Sequence, residues 1–141
     1  MSSAGPGPML IVDAGALCEV LLSGPAAAEV GARLAADPDL AAPHVIDVEA
    51  FGVIRRTDRF GLIDGSEARR AVDDLASWPG TRYGHRLLLD RAFELRDNVR
   101  GWDAMYVALA EILDSPLLTT DRRLARASGP RCAVELVGAG D

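Results

Sequence analysis

The sequence predicts an α/β sandwich with more helix than strand, built around a small parallel sheet. Two observations carry this. Apolar runs of strand length, at 9–12 and 116–120, end on an acid, and a helix-forming stretch follows each at once. Between them, strand-like and helix-like segments alternate, the pattern of parallel βαβ units. A chain of 141 residues with 49% hydrophobic content makes one ordinary domain with a real core.

The elements follow in order. Residues 1–8 are small, Gly/Pro-rich and uncharged, and read as a disordered lead-in; 9–141 read as a single domain. Met9, Leu10, Ile11 and Val12 form a continuous apolar run, the mark of a buried strand, and Asp13 closes it. Residues 14–22 read as a short helix broken by Ser23 and Gly24, and Pro25 opens a second helix over 25–36. Residues 40–43 are either a very short strand or a turn. A helix over 44–60 carries Val45, Val48, Phe51 or Gly52, and Val53 as its apolar stripe, so Glu49 projects from the apolar face. Asp64 or Ser66 caps a helix over 66–78, stopped by Pro79 and Gly80. Residues 81–85 suit a short strand. A helix over 86–98 turns Leu88 or Leu89, Ala92, Phe93 and Leu95 inward. Asp103 falls in the first turn of a helix, running on through 104–113, that is apolar nearly all round and therefore covered. The run 116–120 ends on Asp121, a short helix spans 122–127, and 132–137 form a last strand with Glu135 at an edge or end.

Charge and composition exclude several classes. The net charge of −6 counts against a dedicated nucleic-acid clamp. All 15 basic residues are arginine, so sites that need lysine, Walker A loops among them, cannot be built. No apolar run reaches membrane-spanning length, and the absence of a signal pattern points to a cytoplasmic protein. Cys18 and Cys132 lack ligand spacing and read as structural thiols. His44 and His85 suit surface or satisfied polar roles, and Asn98 is either a helix-end residue or a lining residue near Asp103.

Four acids stand out: Asp13 and Asp121 at strand ends, Glu49 and Asp103 on apolar helix faces. Singly, each has a structural explanation: a helix cap for Asp13, a salt bridge for Glu49, a favourable helix dipole for Asp103. Together they point to a common edge, because the carboxyl ends of parallel strands share one side of the sheet. Carboxylates gathered there repel unless cations join them, and hard oxygen donors suit Mg²⁺ or Mn²⁺. Such ions activate water and stabilise charge on a phosphoryl group. Arg122, Arg123 and Arg126 follow Asp121 and suit either RNA phosphate contact or pairing with surface acids.

Four blocks, in order, resemble the PIN domain, and most closely the VapC-type ribonuclease toxins of type II toxin–antitoxin modules. They run from Leu10 through Asp13 to Leu17, from Asp47 to Ala50, from Trp102 through Asp103 to Ala110, and from Leu117 through Asp121 to Ala125. The resemblance implies a three-layer α/β/α sandwich with a mainly parallel sheet of four to five strands. It implies a Mg²⁺- or Mn²⁺-dependent endoribonuclease acting on structured RNA such as tRNA or rRNA. By motif position the family's catalytic and metal-binding acids fall on Asp13, Glu49, Asp103 and Asp121. It also implies a homodimer, held in check by a VapB-type antitoxin, with no membrane partner. One position departs: Gly15 stands where the family commonly has Ser or Thr, with Thr119 and Thr120 as other sources of a hydroxyl. That departure is the sole support for an alternative, a catalytically silent module that binds an antitoxin or other protein through its acidic groove. A phosphoacceptor receiver domain also sets acids at strand ends, but its site needs a lysine.

Overall fold

In a computed structural model of the chain, residues 9–37 and 39–138 are described. The predicted lead-in at 1–8 lies outside the described residues. Five strands, β1 (Leu10–Val12), β2 (Leu40–Pro43), β3 (Thr81–Tyr83), β4 (Leu117–Thr119) and β5 (Val134–Leu136), form one sheet in the order β3-β2-β1-β4-β5. Every pairing is parallel. The ambiguous stretch at 40–43 is thus a strand, held between β1 and β3.

Among the described residues seven α-helices accompany the sheet: α1 (Ala14–Leu21), α2 (Ala27–Ala35), α3 (Val45–Arg59), α4 (Gly65–Ser77), α5 (Leu89–Glu94), α6 (Asp103–Ile112) and α7 (Arg122–Arg126). Right-handed crossovers put α1 to α4 on one face of such a sheet and α5 to α7 on the other. The packing agrees: α1 lies against α2 and α3, and α3 against α4, while α6 lies against α5, β1 and β2. The result is the α/β sandwich, with Leu10, Ile11, Val12, Leu117 and Leu118 wholly excluded from solvent between the helical layers. No helix among the described residues is long and apolar enough to cross a membrane.

The strand order positions the site. The chain leaves β1 toward β2 on one side, and β4 pairs with β1 on the other. The order therefore reverses between β1 and β4, which makes their carboxyl ends the switch point where open α/β sheets bind ligands. Val12 pairs with Leu118, and the Asp13 N–H donates to the Leu118 carbonyl at 3.1 Å. Asp13 and Asp121 consequently leave adjacent strands at the same edge.

Several local expectations change. The second helix begins at Ala27 instead of Pro25, because the Ala26 N–H turns aside to Glu19 Oε1 at 2.8 Å. The predicted helix over 86–98 is broken. A 3₁₀ turn at Arg86–Leu88 leads into α5, and beyond Glu94 the chain tightens through i→i+3 bonds from Arg96 to Phe93 and from Asn98 to Leu95. Leu88, Ala92 and Leu95 are buried as expected, but Phe93 is 62% exposed. On α3 the inward face is Val45, Ile46, Ala50 and Ile54; Val48 and Phe51 face solvent. Asp64, with Glu67, completes a capping box at the start of α4.

Candidate functional site

The site is assembled on three supports. Asp13 is the N-cap of α1 and is nearly buried. Its Oδ1 accepts the Ala16 N–H at 2.8 Å, and its Oδ2 accepts the Thr119 hydroxyl. Thr119, fully buried at the end of β4, accepts the Asp121 N–H on that same oxygen at 2.9 Å. One threonine hydroxyl therefore ties the side chain of the first acid to the backbone of the last. Asp121 itself is exposed, and its Oδ1 caps α7 by accepting the Arg123 N–H at 2.8 Å.

Glu49 lies on α3 and Asp103 on α6, from opposite layers of the sandwich. The Tyr106 hydroxyl donates to Glu49 Oε1 at 2.7 Å, reaching from the turn of α6 that follows Asp103. This bond replaces the expected salt bridge: the partner of Glu49 is a buried tyrosine.

Electrostatics links the acids. Burial pushes the Asp13 carboxyl up to about 7, despite the hydrogen bonds from Thr119 and Ala16, and the charges of Asp103 and Glu49 push it further. Burial also raises Glu49, opposed by the Tyr106 bond and reinforced by Asp103. Asp103 is raised by burial and by Asp121, and held back by Arg100. Cys18, buried nearby, has its thiol pushed up to about 12 by burial and by Asp13, so it is an inert thiol.

The donor set suits a divalent cation. All four groups are carboxylates, the oxygen donors that Mg²⁺ and Mn²⁺ take. Three of them hold protons above their usual range because they are buried within reach of one another's charge, a cost that a cation removes. Among the described residues no group of three or more His, Cys, Asp or Glu side chains is already arranged to hold an ion. Mg²⁺ commonly takes one or two carboxylates and keeps several waters, so the residues present fit it.

A cleft of about 470 Å³ opens beside Asp103 and Asp121, lined also by Arg100, Gly101, Trp102 and Arg123. Of the arginines singled out after Asp121, Arg123 lines this cleft, while Arg122 and Arg126 are exposed outside its lining. Asn98 is not a lining residue; it lies beside Gly129. His85 has a satisfied polar role, accepting the Val45 N–H at 3.0 Å on Nε2. Arg100, Trp102 and the anchoring role of Tyr106 were not legible from spacing. Tyr106 reads as core because it is apolar-flanked, and only its hydroxyl, which needs a partner when buried, signals more.

At Gly15 the structure accounts for the missing hydroxyl's space. A β-carbon there would stand 3.1 Å from Thr120 Oγ1 and 3.7 Å from Asp13 Oδ1. The Thr120 hydroxyl thus borders the space of a side chain at 15, while the hydroxyl bonded to Asp13 is that of Thr119.

Comparison with known proteins shows what the chain as a whole is similar to. A family model described as the PIN domain matches residues 10–130. Ribonuclease VapC1 of Mycobacterium tuberculosis (strain ATCC 25618 / H37Rv) is 41% identical over 128 residues, 90% of this chain and 96% of that protein. Among solved structures, PAE2754 from Pyrobaculum aerophilum matches with a TM-score of 0.65 at 24% identity, covering 90% of this chain and 83% of that one. A toxin–antitoxin complex from Klebsiella pneumoniae matches with a TM-score of 0.63 at 18% identity, covering 89% and 95%. At such identities the structural likeness speaks for the fold.

Proposed function

Because the chain belongs to the PIN-domain family, and within it to the VapC ribonuclease toxins of toxin–antitoxin systems, we propose that it is a Mg²⁺- or Mn²⁺-dependent endoribonuclease. It hydrolyses phosphodiester bonds in structured RNA such as tRNA or rRNA, acts as a homodimer and is inhibited by a VapB-type antitoxin. One observation supports this above the others: Asp13, Glu49, Asp103 and Asp121 are linked pairwise by one another's charge, with Asp13 and Asp121 leaving the neighbouring strands of the β1/β4 switch point.

Each acid has its task in this reading. A divalent cation, when bound, supplies an activated water and neutralises charge on the scissile phosphate. Asp13, fixed by Ala16 and Thr119, Asp103 at the start of α6, and Asp121 at the end of β4 hold that cation directly or through water. Glu49 is oriented by Tyr106 through Oε1, which leaves its second oxygen to position the attacking water and take up its proton. Its proton affinity, raised by burial, favours that transfer. Arg123 lies in the cleft beside Asp121 and is suited to the substrate phosphate.

The test is digestion of total RNA by the purified, antitoxin-free protein with Mn²⁺, with and without EDTA, followed by mapping of the new ends. Cleavage should require the cation, and Asp13→Asn should lower it by at least about a hundredfold, the scale of a lost electrostatic group. Full activity of Asp13→Asn, or cleavage unaffected by EDTA, would overturn the assignment.

A further inference from the structure

The chain has two tryptophans, and only one is explained by packing. Trp78 is 9% exposed and stacks under the Arg82 guanidinium, 5.0 Å from its ring centre. Trp102 is 59% exposed, immediately before Asp103, and lines the cleft that also holds Asp121. Leaving so large an apolar surface in water, beside carboxylates, gains the fold nothing. Gly101, with φ of +44°, makes the turn from which Arg100, Trp102 and Asp103 all line the same cleft.

We propose that Trp102 is a stacking platform for an unpaired RNA base next to the scissile phosphate, with Arg100 and Arg123 holding the backbone on either side of it. The inference rests on the ribonuclease reading and adds a substrate feature to it: a single-stranded segment at the cleavage position. Unpaired bases are recognised by an aromatic face together with arginines that follow the phosphates. Both parts are present here. Arg100 and Arg123 form no close ion pair with another described residue, although the Arg100 charge reaches Asp103, so their guanidinium groups keep donors for a ligand. The cleft volume is in the range of small-molecule pockets, adequate for one nucleotide.

A protein partner fits this spot less well. The apolar groove nearby is lined by Leu89, Phe93 and Met105 and does not include Trp102, while the Trp102 cleft is lined otherwise by charged residues and one glycine. A platform that supplies only apolar area would belong to the groove, not to the acidic edge.

The experiment measures binding apart from cleavage. In an Asp13→Asn background with Mg²⁺, a labelled single-stranded RNA of about 12 nucleotides is titrated by fluorescence anisotropy. A version with abasic central positions and the corresponding duplex are titrated alongside. Trp102→Ala should weaken binding of the single strand about tenfold, the scale of one base–aromatic stack. Trp102→Phe should restore most of it, and the abasic strand should bind the parent and Trp102→Ala alike. In a Trp78→Phe variant, the single strand should quench the remaining tryptophan emission and the abasic strand should not. Equal binding by Trp102→Ala and the parent, or no quenching, overturns the proposal. So does a Trp102→Ala variant that loses self-association while binding RNA normally, since Trp102 is then a protein contact. The ribonuclease reading is judged separately: a wild type that cleaves total RNA alongside an unaffected Trp102→Ala leaves that reading standing and removes the platform. Failure of the parent to bind any strand, with no cleavage by the wild type, removes both.

Discussion

Asp13 shows what one residue can carry. Its carboxylate caps α1, is held by a β4 hydroxyl, and feels the charge of two other acids, so the cap and the candidate site residue are the same group. Capping explains why the residue suits its place at the end of β1; burial beside Glu49 and Asp103 explains why it does not behave as an ordinary cap. Gly15 is understood at the same scale. A side chain at 15 must share space with the Thr120 hydroxyl, 3.1 Å from the position of its β-carbon. Gly15→Ser gains helix propensity and loses fit, and the balance depends on Thr120. The substitution should therefore be more favourable by about 1 kcal/mol in a Thr120→Ala background than in the parent, read from a urea-unfolding double-mutant cycle. Additivity within about 0.3 kcal/mol would show that the two positions do not compete. The acids were legible in the sequence because carboxylates at strand ends and on apolar faces are costly and conspicuous. The groups that hold them were not: Thr119 and Tyr106 are ordinary residues for a strand end and a buried helix until the partner across the fold is known.

At the scale of the element, α3 shows how a correct helix can be turned to the wrong face. Counting apolar residues selects Val45, Val48, Phe51 or Gly52, and Val53; Val45 is buried as expected, but the buried line continues through Ile46, Ala50 and Ile54, and Val48 and Phe51 are exposed. The helix packs between α1 and α4, and a small residue at 50 lets it approach closely. Glu49 then falls at the boundary, half-buried, where Tyr106 can reach it. Ile46→Ala should cost about 2–5 kcal/mol in chemical denaturation, the cost of a core cavity. Val48→Ala, at a position 71% exposed, should change stability by no more than about 0.5 kcal/mol. The reverse order would restore the face expected from the sequence. The break in the helix predicted over 86–98 has a similar origin: its propensities are helical, but tight i→i+3 turns end α5 after Glu94.

For the whole molecule, the central fact is that one sheet edge concentrates negative charge. In the metal-free chain Asp13, Glu49 and Asp103 all hold protons above their unfolded values. At these three carboxyls the folded state binds more protons than the unfolded state, so their contribution to stability falls as pH rises, from the ordinary carboxylate range to about 7 for Asp13. Asp64, Glu111 and Glu135, lowered by their hydrogen bonds (at Glu111 against the effect of burial), contribute in the opposite sense at the acidic end. A cation bound by the ionised acids, as the proposed function requires, would restore stability by mass action. In thermal unfolding, saturating Mg²⁺ or Mn²⁺ should raise Tm by several degrees at about pH 8 and by little at about pH 5, relative to EDTA. Asp13→Asn should be more stable than the parent in EDTA at about pH 8 and should lose most of the cation response. An equal cation effect at both pH values would separate these carboxyls from metal binding.

The sequence by itself determined the sandwich and singled out four acids as candidates, because these rest on local signals; the ribonuclease class came from the resemblance of whole motif blocks. Apolar runs of strand length, helical spacing and carboxylates in costly positions are all visible within a few residues of chain. Tertiary structure decided the rest. The strand order placed β1 beside β4 and so created the switch point. The crossovers brought Tyr106 from one layer to Glu49 in the other. The turn at Gly101 left Trp102 exposed beside Asp103. The first two are contacts between distant segments, and the energy of such a contact depends on the partner's position, which no local pattern encodes; the third depends on which surfaces the rest of the fold covers.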